Sequence, residues 1–174
     1  KATGEAGPPV VQAAHYRTVT QRLGRTAIQL AIDSQRYRTA VYLARRLADA
    51  NPNSADNLWA LAESYRQLGP RGAEAPKADK KSVRAEQKLK VSFTPEEETR
   101  ALMARPEGAA ALRANAQQAE AVYRRALQLD PAYGKAHRGL GMLYEQLGDT
   151  TQARQNYQRY LQLQPAAPDR LRIE

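Results

Sequence analysis

The sequence predicts an all-α protein built from stacked pairs of antiparallel helices, on the strength of its composition and of a repeat. Ala, Leu, Gln, Arg and Glu dominate the 174 residues, with one Phe, one Trp and few, scattered β-branched residues, a profile that favours helix over strand. Ala119, Tyr123, Leu127, Leu129 and Pro131 recur in register as Ala153, Tyr157, Leu161, Leu163 and Pro165, a period of 34 residues, which is the signature of a repeat architecture. Between the two copies, Leu140, Gly141, Tyr144 and Gly148 fall at helical spacings and Gly148-Asp149 makes a turn. The unit is therefore helix, tight turn, helix, proline. The small residues let two helices approach, the tyrosines fill the space beside them, and the proline stops the second helix.

Taken in chain order, Pro8-Pro9 should start a long first helix, from about Val10 to Asp33, patterned through Leu23, Ala27, Leu30 and Ala31, with Gly24 a candidate kink. The stretch RYRTAVYLARRLADANP supplies its partner, placing Ala40 and Pro52 in register with Ala119 and Pro131, 79 residues on. Next, NLWALAESYRQLG sets Leu61, Ala62, Tyr65 and Gly69 in register with Leu140, Gly141, Tyr144 and Gly148 at the same offset of 79. One period of 34 is thereby interrupted by 45 extra residues. The helix around Ala119 to Leu129 is the second half of a split unit whose first half is 55–69. One domain, 1–174, is expected, with repeats at about 21–54, 55–69 joined to 116–133, and 134–167, an insertion at 70–115 and a tail at 168–174.

The insertion turns basic through Lys77, Lys80, Lys81, Arg84, Lys88 and Lys90, which reads either as a contact site for phosphate or an acidic partner or, with more weight, as a solvated loop. Inside it, TPEEETRALMAR should form a short helix with Thr94 as its cap and an end before Pro106. Phe93 is a candidate pin holding the loop to the body. The tail begins another helix and stops. A repeat array normally closes with a polar capping helix, so self-association through the uncapped C-terminal helix is expected. The opening KATGEAGPPVV, with neither an initiator Met nor a signal pattern, suggests a piece cut from a longer protein.

Function classes narrow by what chemistry needs. There is no Cys, His15 and His137 lie far apart and outside any His-Glu-x-x-His pattern, and Gly139-Leu140-Gly141 sits inside a helix rather than in a phosphate loop. Neither a catalytic residue, a metal site nor a cofactor is expected. No apolar run is long enough to span a bilayer. With 27 Lys and Arg against 18 Asp and Glu, the net charge is +9, which suits an acidic protein, nucleic acid or an anionic surface. Nucleic acid ranks low because aromatic residues are not interleaved with the basic ones.

Leu140, Gly141, Tyr144, Gly148, Asp149, Ala153, Tyr157 and Pro165 follow the order of the tetratricopeptide repeat, and the chain resembles that family. Tyr160 departs from the family's small residue, and Ile28 and Ala44 make the first unit divergent. The resemblance implies a right-handed superhelical array of helix pairs whose first helices line a concave groove that receives a peptide or a partner helix. Carried over by position, the groove residues are Arg22, Arg25 and Gln29, then Asp56, Trp59, Glu63 and Arg66, then Lys135, Arg138, Met142 and Glu145. Trp59 and Met142 would give an apolar anchor and the arginines would hold carboxylates. Members that grip the carboxyl terminus of chaperones use Lys and Asn, whereas the corresponding positions here carry Arg25, Gln29, Ala60, Arg138 and Met142, so chaperone tail binding is not expected. The expected function is a noncatalytic protein-interaction module. A looser likeness of YLQLQPAAPDR to repeat tails of bacterial zinc metallopeptidases makes a regulatory or substrate-recruiting repeat domain the alternative.

Overall fold

The computed structural model describes residues 9–72 and 95–173. The candidate basic loop, Lys77, Lys80, Lys81, Arg84, Lys88 and Lys90, lies outside the described residues, as do Phe93 and Thr94. Among the described residues every regular element is a helix: α1 Pro9–Asp33, α2 Tyr37–Ala50, α3 Ala55–Leu68, a 3₁₀ turn Gly69–Gly72, α4 Pro95–Met103, α5 Pro106–Leu129, α6 Gly134–Leu147, α7 Thr150–Leu163 and the single turn α8 Arg170–Ile173. The helices pair as α1 with α2, α3 with α5 and α6 with α7. Each pair then stacks on the next through α2 with α3 and α5 with α6.

Small residues make the stacking possible. Ala40, Ala44, Ala119, Ala126 and Ala136 are completely buried, so backbones meet where larger side chains would hold them apart. Around these contacts sit aromatic rings. A Cβ placed on Gly139 would come within 2.5 Å of the Tyr123 ring, and one on Gly141 within 2.5 Å of the Tyr157 ring. Tyr123 is 0% exposed. Two helix starts are capped as their residue types suggest: the Ser54 side chain accepts from the Asn57 N–H at 3.3 Å and the Asp149 side chain from the Gln152 N–H at 3.0 Å, each satisfying a donor the helix leaves free.

Gly24 does not break α1, which runs on through it. It is a place of close approach, where an added Cβ would meet the Leu47 side chain of α2 at 3.0 Å. The second difference is larger. The helix carrying Ala119 begins at Pro106 rather than near Ala116, because Pro106 at its first turn and the Ala-rich run that follows extend it towards the amino terminus. At 1.5 Å per residue those ten added residues carry α5 roughly 15 Å past the repeat boundary. They rest on the 3₁₀ turn, and Asn115 donates to the Gly69 carbonyl at 2.7 Å.

A polar groove along the first helices

The first helices α1, α3 and α6 lie side by side, and a cleft of about 230 Å³ opens along them, lined by Gln29 and Ile32, by Trp59, Glu63 and Gln67, and by Lys135, Arg138 and Gly139. Three of these eight were not among the groove residues named from the sequence: Ile32, Gln67 and Gly139. All three fall three or four residues from one that was, so the helical stripe itself was the signal for them.

Trp59 is half-buried on α3, with the Lys135 ammonium 5.4 Å from its ring centroid, a distance at which the ring's negative face attracts a cation. Lys135 also lies 3.6 Å from Asp56. The Tyr133 hydroxyl donates to that same carboxylate at 2.5 Å. This bond, with Lys135 adding to it against the effect of burial, holds the Asp56 carboxyl below its ordinary pKa, and burial together with Asp56 pushes Tyr133 up. Arg138 donates through Nε to Asp169 at 2.5 Å, and the Tyr160 hydroxyl donates to the other oxygen of Asp169 at 2.8 Å. A guanidinium has four further N–H donors.

Glu63 forms the floor. It accepts from Arg66, from Gln67 at 2.8 Å and from the Tyr123 hydroxyl of α5 at 2.8 Å. Burial drives its pKa up, but the bonds from Arg66, Gln67 and Tyr123 outweigh burial and leave it below the usual carboxylate range. Burial and the neighbouring Glu63 push the Tyr123 hydroxyl far in the other direction.

The remaining expected residues lie elsewhere. Arg66, at 6% exposure, points inward to Glu63 and does not line the cleft. Arg25 is half-buried and donates to Asn57 at 3.2 Å, whereas Arg22 is exposed. Met142 is half-buried outside the cleft. Glu145 accepts from the Tyr157 hydroxyl at 2.7 Å and borders a different cavity, at α7. His137 is partly exposed, and its Nδ1 is buried without a hydrogen-bond partner. Among the described residues no three His, Asp or Glu side chains gather as a metal site, and no helix is long and apolar enough to cross a membrane.

Helix pairs joined by glycine turns, stacked through alanines, with a cleft along the first helices, invite comparison with known proteins. Residues 107–174 match the model of the tetratricopeptide repeat. The chain carries tetratricopeptide repeats. No curated protein sequence matches it significantly. Solved structures similar to it include a point mutant of MamA (18% identity, TM-score 0.49, covering 83% of this chain and 72% of that one). A thermophilic TPR protein of Thermus thermophilus, TTC0263, is 22% identical with a TM-score of 0.32, over 86% of this chain and 75% of that one. PilF of Pseudomonas aeruginosa is 19% identical with a TM-score of 0.32, over 88% and 65%. Identities of this size say nothing about partner or activity. Tetratricopeptide repeats as a class build protein-interaction modules.

Proposed function

We propose that this protein is a noncatalytic interaction module that holds a segment of a protein partner, an extended peptide or a helix, in the groove of α1, α3 and α6. The observation that carries this reading is the half-exposed Trp59 ring in one cleft with Lys135 and Arg138. An aromatic face beside two cations suits an apolar side chain flanked by a carboxylate, and such aromatic and arginine anchors supply most of the binding energy in protein interfaces. Asp56, Glu63 and Asp169 are already engaged by hydroxyls and cations of the protein itself, which favours an acidic ligand over a basic one. Arg22 and Arg25 extend the positive edge along α1.

The test is selection of peptides from a displayed random library on the wild-type protein, followed by titration against Trp59→Ala and Lys135→Glu. Enriched peptides should pair an apolar residue with Asp or Glu, and each substitution should weaken them about tenfold or more. Peptides bound equally by both variants would place the binding site elsewhere.

A further inference from the structure

The three first helices share one register, and the repeat shows what each position faces. On α6, Gly139 lies against Tyr123 of the preceding pair whereas Gly141 lies against Tyr157 of its own partner. Ala136, Leu140 and Leu143 share the Gly139 side and are buried. The same register on α3 holds Asn57, Leu61 and Ser64, also buried, and Asn57 donates to the Leu47 carbonyl of α2 at 3.2 Å. On α1 these positions carry Leu23, Ala27 and Leu30. Among the described residues no helix covers them: Leu23 and Leu30 are each 65% exposed, and Val19, one turn earlier, extends the stripe. Meanwhile Ile28 and Ala31, which face α2, are buried as expected.

The second helices tell the complementary story. Ala40 and Ala44 of α2 receive α3, and Ala119, Tyr123 and Ala126 of α5 receive α6. The matching face of α7, Ala153, Tyr157 and Leu161, borders a cavity of about 920 Å³. Among the described residues only α8 approaches it, one turn long, in the register of Ala136 to Gly139, with Leu171 92% exposed.

We infer that α1 of one copy seats on α7 of a second, in the register by which α3 seats on α2 and α6 on α5. A second copy is the occupant because α1 lacks the small-residue second helix that its sister helices have, and α7 presents that face. The seated α1 displaces α8. Such a contact uses two different faces and does not close on itself, so it builds head-to-tail chains. Neither face lies in the groove, and the inference stands apart from the peptide-binding reading.

Sedimentation velocity over a wide concentration range tests it, using the full chain. Wild-type protein should grow from monomer to dimer and longer species. Leu23→Asp/Leu30→Asp, at exposed positions, and Leu161→Asp should each weaken association about thirtyfold when alone. Mixed one to one, the two variants should form a dimer that grows no further, because each retains the face the other lacks. If Leu161→Asp disturbs the fold by circular dichroism, Gln158→Glu/Gln162→Glu alters exposed residues of the same cavity and replaces it. A wild type that stays monomeric, an α7-face variant that associates as the wild type does, or a mixture that stays monomeric would each overturn the inference. The second of these outcomes would point to a symmetric contact between two α1 helices.

Discussion

Replacing Glu63 by Ala should be among the most damaging single changes in this protein. The loss follows from what remains behind. Arg66 is 6% exposed and Tyr123 fully buried, so removing the carboxylate leaves a guanidinium without its counter-charge, while Gln67 and Tyr123 each lose an acceptor. Breaking a buried pair from one side costs about 3–5 kcal/mol, a large part of the roughly 5–15 kcal/mol that holds a domain folded. Removing both charges is different. Glu63→Leu/Arg66→Met exchanges the pair for apolar groups of similar bulk, which is commonly neutral or stabilising, so the double variant should recover all but about 1 kcal/mol. Urea unfolding, followed by circular dichroism and by Trp59 fluorescence, measures both. The pH profile adds a check on sign: the folded pKa of Glu63 lies below its unfolded value of about 4.3. Its contribution is therefore fully present above that pH and lost as pH falls through the folded value. The double variant should lack that part of the acid limb. A loss under about 1 kcal/mol for Glu63→Ala, or a double variant no better than the single, would refute the account.

Gly139→Ala would push a methyl group within 2.5 Å of the Tyr123 ring and should cost about 1–3 kcal/mol of overpacking, measured by urea unfolding. Tyr144, buried and donating to Glu120, has its pKa pushed up to about 12, and Tyr123, Tyr133 and Tyr157 are raised as well. Their contribution is present below the unfolded value of about 10 and lost as pH rises from there through the folded values, so thermal melts from pH 9 to 12 should show a steep alkaline decline. Asn115→Ala removes the donor to the Gly69 carbonyl and should cost about 1–2 kcal/mol, with amide exchange accelerating first in the 3₁₀ turn.

What the sequence disclosed and what it withheld divide by range. The all-α array was legible because helical propensity is local and Pro131 and Pro165 mark its period in the chain itself. Trp59, Glu63 and Lys135 come to line one cleft because register places them on one stripe of each first helix. Arg66 shares that register and still turns inward. Its direction is set by Glu63, three residues before it, and by Tyr123, which arrives from a helix that begins 38 residues after α3 ends, and no pattern within α3 reports that arrival. Arg138 is similar, since Asp169 reaches it from the segment after α7. The early start of α5 was legible in Pro106 and the alanines, but the repeat register, which puts the helix start at Ala116, outweighed it.

The long connection between α3 and α5 looks like a burden on the fold, yet its entropic cost is small. Between Leu68 and Pro106 lie 37 residues, against two between α6 and α7, and closing the longer loop costs only roughly 2–3 kcal/mol more. The structure already holds its two ends together, since Asn115 touches the Gly69 carbonyl at 2.7 Å. In the repeat register Gly69 corresponds to Gly148 and Asn115 to Asp149, which caps α7, and Asn is as good a cap as Asp. Deleting 70–114 would therefore leave Gly69-Asn115 as a two-residue turn where the sister unit has Gly148-Asp149. Gly69 has the required positive φ, at 44° against 77° for Gly148, and differs in ψ, at −129° against 9°, so one torsion must rotate to close the turn. The shortened chain loses the packing of the first turns of α5 and of the 3₁₀ turn but gains the closure entropy. It should fold to the same helix pairs with a urea midpoint near that of the full chain, while a loss of cooperative unfolding would show that the inserted segment is part of the fold.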